Sequence, residues 1–333
     1  MAQMKYYYEL TISSSPHAHT KNTTRAIMGH VLIALTPALI GSVYFFGLRA
    51  LVVCLMSMAA CTLMEKLWCI FMKQNDKTYD LSALVTGLLL AFVCPPTIPY
   101  WQLLIGDAFA ILLVKMLFGG IGKNLFNPAL AARAFLFSWP VSMSTWVKAG
   151  WENRASIFGS NVDIVTAATP LASMHRGEMP ADNLLDMFIG NVGGCIGETS
   201  VALLLIGFAY LLITKVISPR IPLCYIGTVA ILAFLFPMGG DRLMWTAAQV
   251  CSGGLVLGAV FMATDYVTSP LTRAGQVVYA IGCGLLTFVI RYFGGYNEGV
   301  SYAILIMNAC VVLFDRIGRP KKFGNPGKEA KAK

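Results

Sequence analysis

Apolar residues run along this chain in long blocks, and polar residues are confined to short breaks between them. The blocks cover 28–47, 50–72, 81–94, 101–118, 127–140, 187–214, 221–238, 243–264, 275–292 and 300–314. Continuous runs of this kind predict helical membrane spans, whereas the strands of a membrane barrel would alternate over about 10 residues. A full span takes about 20 residues. Several blocks are shorter and end in breakers: CPPTIP at 94–99, GGIGKN at 119–124, TSP at 268–270. Short or broken spans are tolerated only where protein or a cavity covers the freed backbone.

Composition agrees with the pattern. Of 333 residues, 57% are hydrophobic and 12% charged, and the mean hydropathy is +0.67. Soluble domains carry roughly 25% charged residues, so the chain is read as an integral membrane protein. The first 27 residues lack the apolar core of a signal peptide and are expected to be retained. Nine cysteines are scattered without metal-site spacing and read as small buried hydrophobes.

The net charge of +9 follows topology and is no sign of a nucleic-acid partner. With a cytoplasmic N-terminus and ten alternating spans, nine basic residues from Lys5 to Arg273 and seven in the tail fall inside, 16 in all. Arg49, Lys148, Arg154, Arg176, Arg242 and Arg291 fall outside, 6 in all, and Lys66, Lys115 and Arg133 fall within spans. The positive-inside rule then puts both termini in the cytoplasm and the loop 141–186 outside.

The two halves resemble each other. TGLLLAFVCPPTIP (86–99) and LGAVFMATDYVTSP (257–270) share Gly, Thr and the final Pro at a shift of 171, and LFGGIGKN (117–124) resembles YFGGYNEG (292–299) after four residues of slippage. Five spans per half make the second copy inverted, an arrangement whose sites form at the repeat interface from broken helices. The expected fold is thus an all-α polytopic membrane protein of about ten helices in two inverted five-helix repeats. Its parts are a cytoplasmic segment 1–27, repeat 1 at 28–140, the outer loop 141–186, repeat 2 at 187–314 and a basic cytoplasmic tail 315–333.

Few residues here can carry chemistry. Arg133 lies within a span, where a cation is costly and needs a partner; a bound phosphate and a carboxylate such as Asp107 both qualify. Asp107, Glu198 and Asp265 lie in or beside spans and are candidates for an ion path, because hard cations prefer oxygen ligands; a helix-end role competes at Asp265. Lys66 and Lys115 read as snorkelling, with Glu65 a partner for either. GGIGKNLFNP lacks the spacing of a phosphate loop and reads as a flexible turn into a half-helix starting at Asn127-Pro128. No dinucleotide fingerprint is present.

The outer loop holds VDIVTAATPLA (162–172). As plain spacing this is a turn with caps and a breaker. Asp163-x-x-Thr166-Ala167-Ala168-Thr169 nevertheless resembles the flavinylation motif D-x-x-[S/T]-[G/A/S]-A-T of the Rnf and Na⁺-translocating NADH:quinone reductase (Nqr) families. FGGIGKNLFNPALAARAFLFSWP (118–140), PPTIPYWQ (95–102) and ISSSPHAHTKNTTRAIMGHV (12–31) are similar to segments of the family that contains the Rnf D subunit and the Nqr B subunit, the last favouring the Rnf branch. The resemblance implies a urea-transporter-like fold and FMN joined to Thr169 through a phosphodiester by a flavin transferase acting outside the bacterial cytoplasmic membrane, with Asp163, Thr166 and Ala168 completing the motif. It also allows a non-covalent riboflavin among the helices, and gives Arg133 a flavin as a further candidate partner. It implies an electron carrier in a complex that couples ferredoxin–NAD⁺ electron transfer to Na⁺ or H⁺ translocation. The A, B, C, E and G subunits of that complex are the implied partners, the G subunit above all, with whose covalent flavin the FMN on Thr169 would exchange electrons. Two alternatives stand beside it: a quinone-reducing Nqr B subunit, and a channel or transporter with no redox role.

Overall fold

The computed structural model describes residues 23–73, 78–147, 149 and 169–317. These residues are helices joined by turns, and among them no strand of more than one residue occurs. Thr23 caps the first helix, α1 (Thr24–Phe46), by accepting the Ala26 amide at 3.2 Å. Gly47, at φ +83°, turns the chain into α2 (Leu48–Phe71). Then come α3 (Ser82–Phe92) and α4 (Tyr100–Ala108), which runs on as a π-helical segment, Phe109–Met116. The next helix, α5 (Pro128–Leu136), starts where the sequence places it: Asn127 accepts the amides of Ala129 and Leu130, and Pro128 occupies the first turn, where no amide is needed.

Three short helices follow: α6 (Pro140–Met143), α7 (Pro170–His175) and α8 (Leu184–Ile189). The chain then forms α9 (Val201–Ile213), α10 (Arg220–Leu235), α11 (Arg242–Cys251), α12 (Leu255–Leu257, continued by the π-helical Gly258–Met262), α13 (Arg273–Phe293), α14 (Val300–Ala309) and α15 (Val311–Phe314). By length and hydropathy α1, α2 and α13 can each cross a membrane, and α11 with α12 passes the same test as a pair bent by 62°, the form of a broken span or of a re-entrant loop. Their outer faces carry exposed apolar side chains, such as Ile40, Leu63, Ile70 and Leu285. Helices that are apolar outside as well as inside belong in lipid.

The centre of the bundle is α3, whose residues Leu88–Phe92, with the following Val93 and Cys94, are almost entirely buried. A half-helix ending in the interior leaves carbonyls without partners. Here Gly197 and Ile196 donate their amides to the Phe92 and Cys94 carbonyls at 2.9 and 3.0 Å. The Arg49 guanidinium donates to the carbonyls of Pro96, Thr97 and Ile98 just beyond. Arg291 treats the break after α11 in the same way, donating to the carbonyls of Gln249 and Ser252 at 2.7 and 3.1 Å.

Helix starts repeat along the chain. Leu48 and Arg220 are 172 residues apart, Ser82 and Leu255 are 173, Tyr100 and Arg273 are 173, and Pro128 and Val300 are 172. The first helices of the two series, α1 and α9, pack on each other, as do the last, α5 and α14. At the α1–α9 crossing Gly207 lies so close to the Ala34 carbonyl that a Cβ there would overlap it.

Three expectations are corrected. Arg49 and Arg291, counted as outer-loop charges, lie within helices and are buried. Lys115 does not snorkel: it is 2% exposed and pairs with Glu65 at 2.8 Å, while Lys66 faces outward. The blocks 187–214 and 243–264 are not single helices. The first breaks between Gly190 (φ +110°) and Ser200, the second at Ser252-Gly253-Gly254, where Gly253 has φ +64°. Left-handed glycine lets the helix stop without a side-chain clash.

Candidate functional site

A cavity of about 250 Å³ opens where the two helix series meet the segment that carries Thr169. Its floor is Arg133 on α5, which is 2% exposed. Arg133 donates from Nη1 to Glu198 Oε1 at 2.8 Å and to Ser301 Oγ at 3.1 Å. From Nη2 it donates to Glu298 Oε2 at 2.5 Å and to the Cys195 thiol sulfur at 3.7 Å. Glu298 uses its other oxygen, Oε1, to accept the Gly254 amide at 2.5 Å. One guanidinium thus ties α5, the connection 190–200, the break between α11 and α12, and the start of α14. Buried charges persist when they are paired and hydrogen-bonded in this way.

Thr169 lines the same cavity. It is the N-cap of α7, with its Oγ1 accepting the Ala172 amide at 3.3 Å, and it is partly exposed. Pro170 fills the first turn of that helix. Leu171 and Met174 pack with Met187 and Trp245, and the His175 ring bonds the Arg291 carbonyl at 2.8 Å. So a six-residue helix, too short to stand alone, is fixed to the membrane bundle and holds the Thr169 hydroxyl at the cavity. Phe137, Trp146 and Tyr296 supply aromatic surface around it. Asp163, Thr166 and Ala168, the rest of the motif, lie outside the described residues.

The structure brings Thr169, Arg133 and Glu198 together and separates the other candidates. Asp107 is fully buried against α2, where Ser57 and Cys61 donate to its Oδ1. Asp265 shapes a turn: its carboxylate accepts the Val267 amide and the Thr268 hydroxyl, beside a second cavity of about 80 Å³. Arg133 does not pair with Asp107. Both of its terminal nitrogens are taken, by the two glutamates with Ser301 and Cys195, while its Nε has no partner.

Glu298 is the residue that sequence reasoning missed. It stands in YFGGYNEG, the counterpart of LFGGIGKN, and the only available signal was an acid in a glycine-rich turn before a span. Arg291 and Cys195 were likewise read only as a loop charge and a buried thiol.

A chain built of apolar helices, several of them broken, around a buried ionic cluster is a polytopic membrane protein with an interior polar site. Its sequence matches the model of the NQR2, RnfD, RnfE family over residues 11–324. It is 47% identical to the D subunit of the Na⁺-translocating ferredoxin:NAD⁺ oxidoreductase complex of Acetobacterium woodii, over 97% of this chain and 98% of that one. It is 43% identical to the D subunit of the proton-translocating ferredoxin:NAD⁺ oxidoreductase complex of Clostridium ljungdahlii, over 94% and 96% of the two chains. It is 38% identical to the D subunit of an ion-translocating oxidoreductase complex of Stutzerimonas stutzeri, over 91% and 93%. The chain belongs to the NQR2, RnfD, RnfE family.

Proposed function

We propose that this chain is the D subunit of an Rnf complex, a membrane electron carrier in a machine that couples ferredoxin–NAD⁺ electron transfer to Na⁺ or H⁺ translocation. The first two relatives named above match nearly the whole length of this chain and are D subunits of such complexes. This favours the Rnf reading over a quinone-reducing Nqr B subunit and over a channel with no redox part. The observation that carries the cofactor is the position of Thr169. The last residue of the flavinylation motif presents its hydroxyl at the mouth of a cavity edged by aromatic side chains and floored by Arg133.

The proposed cofactor is FMN, esterified to Thr169 Oγ1. The residues fit it. Thr169 is partly exposed, as attachment by a transferase requires, and its hydrogen bond with Ala172 uses the hydroxyl oxygen only as an acceptor. The cavity is near the lower end of ligand-site volumes, about 300 Å³, a size for a ring system rather than a whole dinucleotide. When bound, FMN supplies the electron-carrying chemistry. The protein's part is to fix the attachment point through α7 and to exclude water with Phe137, Trp146 and Tyr296. Arg133 holds the shape of the floor through its two glutamates. A non-covalent riboflavin among the helices belongs to the same proposal.

The 172–173-residue spacing of helix starts and the contacts α1–α9 and α5–α14 support two inverted repeats with about ten membrane crossings, several of them half-helices. In the proposed topology the chain sits in the bacterial cytoplasmic membrane with both termini inside. Thr169 then faces outward, toward the covalent flavin of the G subunit and the flavin transferase. Denaturing electrophoresis of the purified chain, read by in-gel flavin fluorescence and followed by peptide mapping, tests the cofactor. An FMN-bearing peptide containing Thr169 is expected, and a chain without flavin would leave the channel reading in its place.

A further inference from the structure

We infer that the Asp107 carboxyl is an exchangeable site for a monovalent cation, a proton or sodium, inside the first half of the bundle. The inference rests on the ion-translocating reading above and adds the place where an ion is held.

Asp107 is 0% exposed, at the end of α4. Its Oδ1 receives the Ser57 hydroxyl at 2.5 Å and the Cys61 thiol at 3.3 Å, and its Oδ2 has no partner. Among the described residues, the buried cations of this half are committed elsewhere. Lys115, further along the same helix, is paired with Glu65 at 2.8 Å and donates to Ser82 Oγ at 2.6 Å. Arg133 on α5 is held by Glu198 and Glu298. Arg49 on α2 is directed to the backbone carbonyls after Cys94. The helix α3 carries no titratable residue, the thiol of Cys94 follows it, and the remaining titratable side chains of α2 are thiols, Glu65 and the exposed Lys66. A carboxylate in the membrane interior with no counter-charge is costly, and it is neutralised by a proton or a bound cation instead.

The hydroxyl beside it is built for two states. Ser57 Oγ has one proton but two acceptors in reach, Asp107 Oδ1 at 2.5 Å and the Gly87 carbonyl at 2.9 Å. A protonated Asp107 donates to Ser57, whose own proton then goes to Gly87. When the proton leaves, Ser57 turns to the carboxylate, or a cation takes the proton's place. The two Asp107 oxygens, Ser57 Oγ and the Gly87 carbonyl are the hard oxygen ligands that sodium prefers. Five residues earlier on α4, Gln102 is also fully buried, with both amide atoms unpaired. Directly after the site the helix becomes π-helical from Phe109 to Met116, an irregularity concentrated at functional positions.

The test uses the whole complex reconstituted in liposomes. Ion uptake and ferredoxin–NAD⁺ turnover are measured together for the wild type, Asp107→Asn and Asp107→Glu. The inference expects Asp107→Asn to lower the number of ions moved per electron by a factor on the order of ten, and Asp107→Glu to restore most of it. An unchanged ratio in Asp107→Asn overturns it. Where the variant leaves too little turnover for a ratio, the wild-type complex decides by reaction with dicyclohexylcarbodiimide. The protonated carboxyl adds across a C=N bond, its oxygen binding carbon and its proton passing to nitrogen, and rearranges to a stable N-acylurea that peptide mass spectrometry locates. Modification of Asp107 that falls as pH rises, with no effect of sodium, marks a proton site. Modification suppressed by Na⁺ but not by K⁺ marks a sodium site. No modification, or modification indifferent to both pH and Na⁺, overturns the inference. A wild-type complex without ferredoxin–NAD⁺ activity would instead count against the proposed function, and the labelling would still read Asp107.

Discussion

Arg133 and Glu298, 165 residues apart, meet at 2.5 Å in the interior and join the last helix of the first series to the start of the last helix of the second. The contact is one arm of a fork whose other arm holds Glu198 at 2.8 Å. Removing the guanidinium leaves two carboxylates facing each other, Glu198 buried and Glu298 partly so. Breaking a buried pair on one side typically costs about 3–5 kcal/mol. Arg133→Leu is therefore expected to lower the thermal midpoint of the purified complex and its flavin content. The combined change with Glu198→Gln and Glu298→Gln is expected to recover part of the thermal midpoint, since it removes the uncompensated charge. An Arg133→Leu protein as stable and as rich in flavin as wild type would mean the fork is dispensable.

Gly254 tests the same cluster from the backbone side. A Cβ at this position would lie 2.6 Å from both Glu198 Oε1 and Glu298 Oε1. The carboxylates cannot both move aside while Arg133 holds them. Gly254→Ala is expected to destabilise the protein by about 1–3 kcal/mol, the usual range for overpacking. Gly295→Ala serves as the control, because a Cβ there meets nothing within 4 Å. Equal thermal midpoints for the two variants would show that the cluster yields easily.

The proposed topology puts the loop 141–186 outside, on a charge bias of 16 to 6 basic residues. Two of the six, Arg49 and Arg291, are buried caps of helix breaks, so their side is not a matter of loop charge, and removing them leaves the bias in the same direction. A cysteine introduced by Ser160→Cys is expected to react with a membrane-impermeant thiol reagent in cells stripped of their outer membrane. Reaction only after lysis would reverse the orientation.

The run of apolar blocks was enough to find α1, α2, α10 and α13, and Asn127-Pro128 was enough to start α5, because local rules govern both. The breaks at Gly190 and Ser252–Gly254 were not legible. Glycine is common within membrane helices, and only partners elsewhere in the chain, Arg291 among them, make a break tolerable there. The candidate site was legible in part for the same reason. Arg133 and Glu198 stand out as charges in or beside spans, and Thr169 stands out in a motif. Which carboxylate meets Arg133 depends on how two halves of the chain pack, and the sequence pointed to Asp107, in a neighbouring span, and not to Glu298.

The decisive residue for the proposed chemistry is Thr169. Its Oγ1 is the atom proposed to carry the phosphodiester, and it lies at the cavity with α7 docked behind it. Thr169→Val keeps the shape of the side chain and removes that oxygen. The same change removes the cap of α7, which costs about 1 kcal/mol; Leu171, Met174 and the His175–Arg291 bond still hold the helix. The variant is therefore expected to insert and assemble, to lose the flavin fluorescence that survives denaturation, and to lose most ferredoxin–NAD⁺ activity of the complex. Thr169→Ser restores a hydroxyl and the cap together, and is expected to regain attached flavin in proportion to the transferase's tolerance of serine. Thr166→Val is expected to be milder, because that residue is assigned to recognition by the transferase and not to the bond. If Thr169→Val keeps denaturation-resistant flavin while Thr166→Val loses it, the bond is at Thr166. If both keep it, the loop is not the attachment site, and the aromatic cavity beside Thr169 serves something else.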